Sequence, residues 1–457
     1  MININKKFSL KIKIIIVFKL FFLILTFYFL YYINKKKNQL SFQSQNKNLF
    51  INTFNKFIMS KSKLKKNDNK TNLLNSLDII IYRLNKDINI RKPKYILLFD
   101  LFTSKYCADL NSFLIFQYYQ QRNISDAYYI INNESELYNS LLKQNKTQNL
   151  IPVNKVGNSL WSILYPYLLN SKIIVQSYIF SYFHKLINNV SYLNYLKINH
   201  GIRYFKRLRI SEFSILNKNK INTIISSPYE YSLIKKEYHL DDNQMYKAGL
   251  PRFDRFQNIK KNKYEKKCIL VSFTYRKYNE KLYNKSLLKK NIMKLLNNKS
   301  LISFLKKNNI DIIYIQHHYD LFRNRIFNQK SFKYSKYKNP IFLKHYIEHC
   351  SLCVTDFSSF SFDFIFQNKP SLFYLIDYKE TFDFCEKTYM KNFPKDPFVI
   401  NNTFYDLNPL IEKIKYYVKR QFIIEDDLKK EYEKVFYYKK NITQRIVNII
   451  EKIINKI

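Results

Sequence analysis

Residues 351–377, SLCVTDFSSFSFDFIFQNKPSLFYLID, indicate the fold class. They read as an apolar strand at 351–355, a polar turn at 356–359, an apolar helix that ends before Pro370 and a second apolar strand at 371–376. Unbroken apolar strands that are joined by helices are typical of parallel sheets covered on both faces. The stretch therefore predicts an α/β protein.

The same alternation extends toward the N-terminus. Six more apolar runs predict strands: 94–101, 172–177, 195–199, 221–226, 268–274 and 311–316. The charged stretch 256–267 divides the whole series into two sets of strands. We therefore expect two Rossmann-like domains, 76–255 and 256–457, that face each other across a cleft.

An apolar run at residues 14–33, IIIVFKLFFLILTFYFLYYI, is long enough to span a bilayer. No small-residue cleavage site follows it, which favours an uncleaved anchor over a signal peptide. Lysines flank both ends, so the positive-inside rule gives no orientation. We predict a membrane anchor helix with basic flanks in 1–37 and a polar linker in 38–75.

The chain carries a net charge of +44, from 78 Lys and Arg against 34 Asp and Glu. Such an excess favours a polyanionic partner, such as an anionic membrane surface or a phosphate-rich substrate. The lysines are spread along the chain, which indicates a generally cationic surface and not a nucleic-acid-binding tail. We therefore expect no nucleic-acid partner.

Glycine is scarce: the chain has 3, where an average composition would give roughly 32. Gly157, Gly201 and Gly249 lie too far apart to form a dinucleotide-binding G-x-G-x-x-G, a P-loop or a G-x-S-x-G elbow. A bound phosphate would need another cradle. The retained glycines are expected where the backbone requires a positive φ or a close approach.

The five cysteines are odd in number and sparse. They do not have the spacing of a disulfide framework, and we expect a reducing compartment.

Polar residues follow several of the predicted strands. His200 and Gly201 come directly after one strand, and His317 and His318 after another. Such strand ends are where α/β folds place ligands, and histidine is suited to proton transfer near neutral pH. The Asp-Phe-Ser-Ser turn at 356–359 precedes a helix, which predicts a capped helix start that binds an anion without glycine.

Together these features resemble the CDP-glycerol glycerophosphotransferase family, the teichoic-acid-type primases and polymerases. The matching motifs, in order, are His200-Gly201, Gly249-Leu250-Pro251-Arg252-Phe253-Asp254, Thr274-Tyr275-Arg276, His318, and Thr355 to Ser359 with Asp363. Three departures occur: Phe273 and Tyr319 stand where the family has proline, and an Arg-Gly pair is absent from 384–393.

The resemblance implies a GT-B-like fold with the acceptor on the N-terminal domain and a CDP-activated donor on the C-terminal one. The acceptor hydroxyl would attack the β-phosphate of CDP-glycerol, or of a related CDP-polyol, and release CMP. It further implies a lipid-linked cell-envelope acceptor of the teichoic acid or capsule type. The catalytic domains would face the cytoplasm at the inner membrane. No cofactor is implied, and the absence of a D-x-D gives no sign of a metal.

The resemblance also assigns roles to residues. His200 would be the general base on the acceptor, and His318 with Arg276 would stabilise the pyrophosphate. Arg252 is a further candidate for donor binding. For both arginines, a surface salt bridge is the alternative reading.

The last motif would hold the donor phosphate. Ser358, Ser359 and the helix N-terminus would contact it, within a donor-binding motif that begins at Thr355. Asp356 would orient the turn. Structural roles fall to Gly201, Gly249 and Asp363.

Three other functions remain open from the sequence. The first is zinc chemistry, because the zinc motif H-x-x-E-H is matched by His345, Glu348 and His349, with Cys350 and Cys353 following as C-x-x-C. The same two-domain architecture would also suit a GT-B glycosyltransferase that uses a nucleotide sugar for surface polysaccharide. A third alternative is a non-catalytic, membrane-anchored protein that binds polyanions.

Overall fold

The computed structural model describes twelve segments of the chain: 69–87, 93–100, 111–153, 158–177, 181–205, 220–258, 267–274, 276, 285–316, 333–336, 340–377 and 396–455. The chain divides into two compact units, Met1–Asn72 and Leu73–Ile457. The predicted anchor at 14–33 lies outside the described residues. Among the described residues, no helix is both long enough and apolar enough to cross a membrane.

The first sheet contains seven parallel strands in the order β3-β2-β1-β4-β5-β6-β7. Its strands are β1 (Tyr95–Phe99), β2 (Ala127–Asn132), β3 (Leu150–Val153), β4 (Ser171–Gln176), β5 (Asn194–Lys197), β6 (Ile221–Ile225) and β7 (Met245–Lys247). The order reverses between β1 and β4, which is where open α/β sheets bind ligands.

The helices of this half connect the strands and cover the sheet. They are α1 (Asn69–Asp87), α2 (Asn111–Gln121), α3 (Glu136–Lys143), α4 (Asn158–Leu169), α5 (Ser181–Asn189) and α6 (Pro228–Tyr238), with short 3₁₀ helices at Asp242–Gln244 and Pro251–Asn258. α1 begins at Asn69, within the predicted linker 38–75, whose bounds stay a prediction. Ser135 and Ser227 cap α3 and α6 through their side chains, as their residue type favours.

The second sheet contains six parallel strands in the order β10-β9-β8-β11-β12-β13. Its strands are β8 (Cys268–Val271), β9 (Asp311–Gln316), β10 (Lys333–Lys336), β11 (Leu352–Thr355), β12 (Ser371–Tyr374) and β13 (Thr403–Phe404). Counted within the sheet, this is the 3-2-1-4-5-6 order of a doubly wound nucleotide-binding fold, with its reversal between β8 and β11.

The described residues of this half form eight helices. They are α7 (Leu287–Leu296), α8 (Lys299–Lys307), α9 (Pro340–His349), α10 (Ser361–Phe366), α11 (Pro397–Ile400), α12 (Leu407–Lys419), α13 (Asp426–Lys434) and α14 (Ile442–Asn455). The last of them, α14, packs against α2 beside the first sheet. The end of the chain therefore joins the two halves.

One apolar core runs through both sheets. It includes Leu98 and Ile173 of the first sheet together with Val271 and Val354 of the second. The two sheets are consequently held by continuous packing, the largest favourable term in folding.

All eight predicted strands are confirmed, and so is their division into two sets. The domain boundaries 76–255 and 256–457 stay a prediction. Among the described strands, five were missed: β2, β3, β7, β10 and β13.

The cysteines require a correction. Cys268 and Cys350 form a disulfide bond, although they lie 82 residues apart in the sequence. The start of β8 and the end of α9 meet there, since the Ser351 N–H donates to the Cys268 carbonyl at 2.8 Å. The prediction of a reducing compartment rested on unpaired cysteines, and the disulfide removes that support. Cys353 is free and buried, and its burial raises the pKa of the thiol well above the usual range.

Candidate active site

A buried ionic network lies at the strand-order reversal of the second sheet. Arg276 donates to Asp377 through Nε and Nη2 at 2.9 and 2.8 Å, and Nη2 also lies 2.7 Å from Asp356. Its Nη1 donates to the Thr274 carbonyl at 2.8 Å. Asp356 in turn accepts from the N–H and the hydroxyl of Thr274 at 2.9 and 2.7 Å.

This network ties together the segments that follow β8, β11 and β12. Arg276 is 2% exposed and both carboxylates are buried at least as deeply. The surface salt bridge considered for Arg276 is therefore wrong, because the ion pair is buried. Asp356 contacts Thr274 and Arg276, and its role in orienting the turn stays a prediction. A pyrophosphate contact by Arg276 remains a prediction, since its guanidinium already donates to two carboxylates and a carbonyl.

Residues 356–359, here called the serine turn, lead into α10. The predicted serine cap is wrong: the N-cap residue is Phe360, which has helical φ and ψ and makes no side-chain cap hydrogen bond. The turn is instead closed by its backbone, since the Ser358 and Ser359 carbonyls accept from Ser361 and Phe362 at 3.3 and 3.2 Å. Both serine side chains stay partly exposed, and donor-phosphate contact by them remains a prediction.

Thr355 ends β11 and is fully buried. Among the described residues, its Oγ1 has no hydrogen-bond partner. Its predicted contact with the donor is untested.

A loop of the first sheet lies directly on the serine turn. This loop, residues 199–203 and here called the histidine loop, follows β5 and contains His200 and Gly201. A Cβ on Gly201 would lie 2.3 Å from the Ser359 hydroxyl oxygen and 2.7 Å from its Cβ. Since the φ of Gly201 is not positive, close approach explains this glycine, and His200 is brought beside the serine turn.

Gly201→Ala should destabilise the protein by about 1–3 kcal/mol and reduce its activity, because the new methyl group would overlap Ser359. Thermal unfolding and transfer rate measure the two effects. The double variant Gly201→Ala/Ser359→Gly should recover stability relative to Gly201→Ala, since it removes both overlapping atoms. Gly249→Ala is the matched control, because the three atoms nearest its methyl group would all belong to the side chain of Ile442, the first at 3.1 Å. An equal loss in both alanine variants would contradict the close approach.

Arg252 connects the histidine loop to the second sheet. Its Nε and Nη2 bond Asp363 of α10 at 2.6 and 3.0 Å, and its Nη1 donates to the carbonyl of His200. Its own N–H donates to Asn111 at 3.3 Å. The pair with Asp363 is buried, so the surface alternative is wrong here too. Contact between Arg252 and the donor stays a prediction.

The same motif also supports the last helix. Asp254 accepts the N–H groups of Ile442 and Thr443 at 2.9 and 2.6 Å, at the start of α14. Carboxylates are favoured at helix N-termini because unsatisfied N–H groups and the helix dipole meet there. The Gly249-to-Asp254 stretch therefore joins the two halves of the molecule.

The aromatic residues beside the histidine loop were not predicted as part of the site. Tyr204 packs 5.3 Å from Phe362 and 5.6 Å from Phe398, between ring centroids. Phe205 packs 5.2 Å from Phe373, and the Tyr204 hydroxyl donates to Asp396. The chain after His200 is thus inserted among side chains of the second sheet. Because Phe and Tyr are frequent throughout the sequence, no local pattern distinguishes these residues as part of the site.

Glu230 is a further residue that the sequence reading missed. It is fully buried, and its carboxylate accepts from Asn199 at 2.7 Å, Arg203 at 3.3 Å and Ser226 at 2.8 Å. Burial raises the pKa of Glu230 to about 7. The signal in the sequence was Ser227-Pro-Tyr-Glu230, which has the spacing of a capping box.

Two expectations concern other histidines. His318 lies outside the described residues. His345 and His349 share one face of α9, with ring centroids 4.3 Å apart, but Cys350 is disulfide-bonded. Within the described segments, no group of three or more His, Cys, Asp or Glu side chains could hold a metal ion.

These features define an α/β protein with two parallel Rossmann-like sheets, whose candidate site lies where the histidine loop meets the serine turn. The chain belongs to the CDP-glycerol:poly(glycerophosphate) glycerophosphotransferase family, whose model matches residues 82–452.

Two curated relatives come from Bacillus subtilis (strain 168). The chain is 27% identical to the minor teichoic acid biosynthesis protein GgaB, over 93% of this chain and 47% of GgaB. It is 26% identical to the teichoic acid glycerol-phosphate primase, over 46% of this chain and 58% of that protein. The chain thus spans about half the length of the curated relatives it matches.

Solved structures show the same fold. The wall teichoic acid polymerase TagF is 17% identical with a TM-score of 0.60, covering 89% of this chain and 98% of that one. An S. aureus MnaA–UDP co-structure is 12% identical with a TM-score of 0.50, covering 79% and 98%. The predicted α/β fold with parallel sheets is confirmed, with GT-B-like neighbours.

Proposed function

We propose that this protein transfers glycerol phosphate from CDP-glycerol, or a related polyol phosphate from its CDP derivative, to a hydroxyl of a lipid-linked cell-envelope acceptor. Membership of the family over residues 82–452 supports the reaction class. One structural observation carries the placement of the site: Gly201 lies against Ser359, so the candidate base is beside the candidate phosphate-binding turn.

The proposed step is an in-line displacement at phosphorus. The acceptor oxygen bonds to the β-phosphorus of the donor while the bond from that phosphorus to the bridging oxygen breaks, and CMP leaves. The acceptor proton passes to the imidazole of His200. Phosphoryl transfer of this kind depends chiefly on positioning and on neutralising charge.

The two sheets would contribute different groups to the reaction. His200 comes from the loop after β5, whereas Ser358 and Ser359 follow β11 at the strand-order reversal, where α/β folds bind ligands. The buried network of Arg276, Asp356 and Asp377 would hold the serine turn in place for the donor phosphates. The same proposal assigns contacts with the donor to His318, Arg252 and Thr355.

Membrane association is proposed from charge and chemistry. The net charge of +44 suits anionic lipid and a phosphate polymer. The apolar run 14–33 would hold the enzyme at the inner membrane, with the catalytic domains on the cytoplasmic side, where a CDP-activated donor is available.

Incubation of the full chain with glycerol-labelled CDP-glycerol and bacterial membranes tests the proposed acceptor. Label should enter the lipid or polymer fraction, and it should do so about 10²–10⁴-fold more slowly with the His200→Ala variant. If the wild-type protein consumes CDP-glycerol but all of the label stays in water-soluble products, the lipid-linked acceptor is contradicted.

A further inference from the structure

Glu230 lies beneath the histidine loop, at the start of α6. Its backbone N–H donates to the side chain of Ser227, the N-cap residue, at 3.0 Å. Its carboxylate is turned away from solvent and is fully buried. The residue is thus fixed by a helix of the first sheet and directed at the loop that carries His200.

Three donors converge on the Glu230 carboxylate from both sides of His200. Oε1 accepts from the Asn199 side chain at 2.7 Å and from the Arg203 N–H at 3.3 Å, and Oε2 accepts from the Ser226 N–H at 2.8 Å. Asn199 and Arg203 are the two ends of the histidine loop, and Ser226 follows β6. A single carboxylate therefore joins both ends of the loop to the residue that follows β6.

We propose that Glu230 is a positioning residue. It holds the histidine loop in the geometry that His200 needs to remove the acceptor proton. The inference rests on the proposed function, in which His200 is the general base. Arg252 holds the same loop from the opposite side by donating to the His200 carbonyl. The histidine loop is thus held by Arg252, which also binds Asp363 of the second half, and by two hydrogen bonds to Glu230 of the first half.

The charge of Glu230 matters because all three partners are donors. A carboxylate can accept from each of them, whereas a protonated carboxyl has one oxygen that carries a hydrogen and opposes a donor. The titratable or charged groups that interact with it are Arg203 of the histidine loop and Tyr437 after α13. Burial raises the pKa of Glu230 to about 7, with Arg203 acting in the opposite direction.

Because of this raised pKa, ionisation of Glu230 should increase activity and decrease the stability of the fold as the pH rises. In the unfolded chain Glu230 has an ordinary pKa, so between that value and about 7 the folded state binds the extra proton. The stability contributed by this proton is full at acidic pH and is lost as the pH rises through about 7. The complete set of hydrogen bonds to the loop forms over the same interval, so activity should rise where stability falls.

Glu230→Gln tests the role because the amide keeps the shape but places an NH₂ group opposite one of the donors. We expect kcat to fall about ten- to a hundredfold with KM for CDP-glycerol unchanged, as for a displaced catalytic group. The acidic limb of log(kcat/KM) should have a slope above one in the wild type and of one in Glu230→Gln, which lacks one of the two groups that must lose a proton.

Asp87→Asn is the matched control. Asp87 is another buried carboxyl in the same half, and it accepts from Tyr165 at 2.8 Å, away from the histidine loop. Its variant should keep the wild-type kcat and pH profile even if it loses comparable thermal stability. Wild-type kinetics in Glu230→Gln would overturn the inference while leaving the proposed function intact.

Hydrogen–deuterium exchange gives a readout that does not depend on activity. After correction for intrinsic rates, backbone amides in 199–205 should become more protected in the wild type as the pH rises through about 7. In Glu230→Gln their protection should stay low at every pH. Equal, pH-independent protection in both proteins would overturn the positioning role, whether or not the donor has been correctly identified.

Discussion

His200→Ala should slow glycerophosphate transfer by about 10²–10⁴-fold, the range typical of general acid–base groups. The loss should fall on kcat, because the histidine acts on the acceptor hydroxyl while the donor is bound by the second sheet. Donor binding, measured by calorimetry, should change little. The substitution removes an imidazole that is only partly buried, so the fold should survive.

His345→Ala is the matched control for this experiment. His345 lies on α9, where it faces His349 in the H-x-x-E-H motif. It should keep the activity that His200→Ala loses. The reverse pattern, with His345 essential and His200 dispensable, would contradict the proposed site and would favour the zinc alternative.

Arg276→Ala should destabilise the protein by about 3–5 kcal/mol, the cost of leaving a buried ion pair without one partner. Two buried carboxylates, Asp356 and Asp377, would lose their shared cation. The serine turn would lose its support as well, so transfer activity should be lost with the stability. Denaturant unfolding monitored by fluorescence and circular dichroism measures the effect.

Two comparisons sharpen this prediction. The triple variant Arg276→Met/Asp356→Asn/Asp377→Asn should be more stable than Arg276→Ala, because it removes the unpaired buried charges. Arg420→Ala, at an exposed arginine after α12, should change stability by no more than about 0.5 kcal/mol. A loss in Arg276→Ala no larger than in Arg420→Ala would show that the network does not stabilise the fold.

The central strands of both sheets could be predicted because each is a continuous apolar run buried on both faces. β1, β4, β8 and β11 were predicted in this way. The edge strands carry a weaker signal: β10 reads KYSK and β13 has two residues. An edge strand has a neighbour on one side only, so its sequence is less constrained.

The serine turn and the histidine loop were predicted as candidate site segments because each follows an apolar strand and carries unusual residues. The partners of those residues could not be predicted. Arg276 meets Asp356 and Asp377, which lie 80 and 101 residues further along the chain, and Gly201 meets Ser359. These contacts exist only once the two sheets have formed and packed, and no local periodicity encodes them.

The cap of α10 shows the limit of local rules. Asp356, Ser358 and Ser359 have the residue types of an N-cap, yet Asp356 bonds Thr274 and Arg276, and Ser359 meets Gly201. Tertiary partners thus compete with the helix for the same polar side chains. Glu230 is the converse case, since its N–H donates to the cap residue Ser227 while its carboxylate accepts from the histidine loop.

The most direct test of the proposed reaction is the identity of the nucleotide released by the full chain from CDP-glycerol in the presence of membranes. Attack on the β-phosphorus predicts CMP, in an amount equal to the glycerol phosphate transferred, and release about 10²–10⁴-fold slower from His200→Ala. Release of CDP would mean that the glycerol carbon is attacked instead. Turnover of a UDP- or GDP-sugar without any CMP from CDP-glycerol would contradict the account and favour a glycosyltransferase.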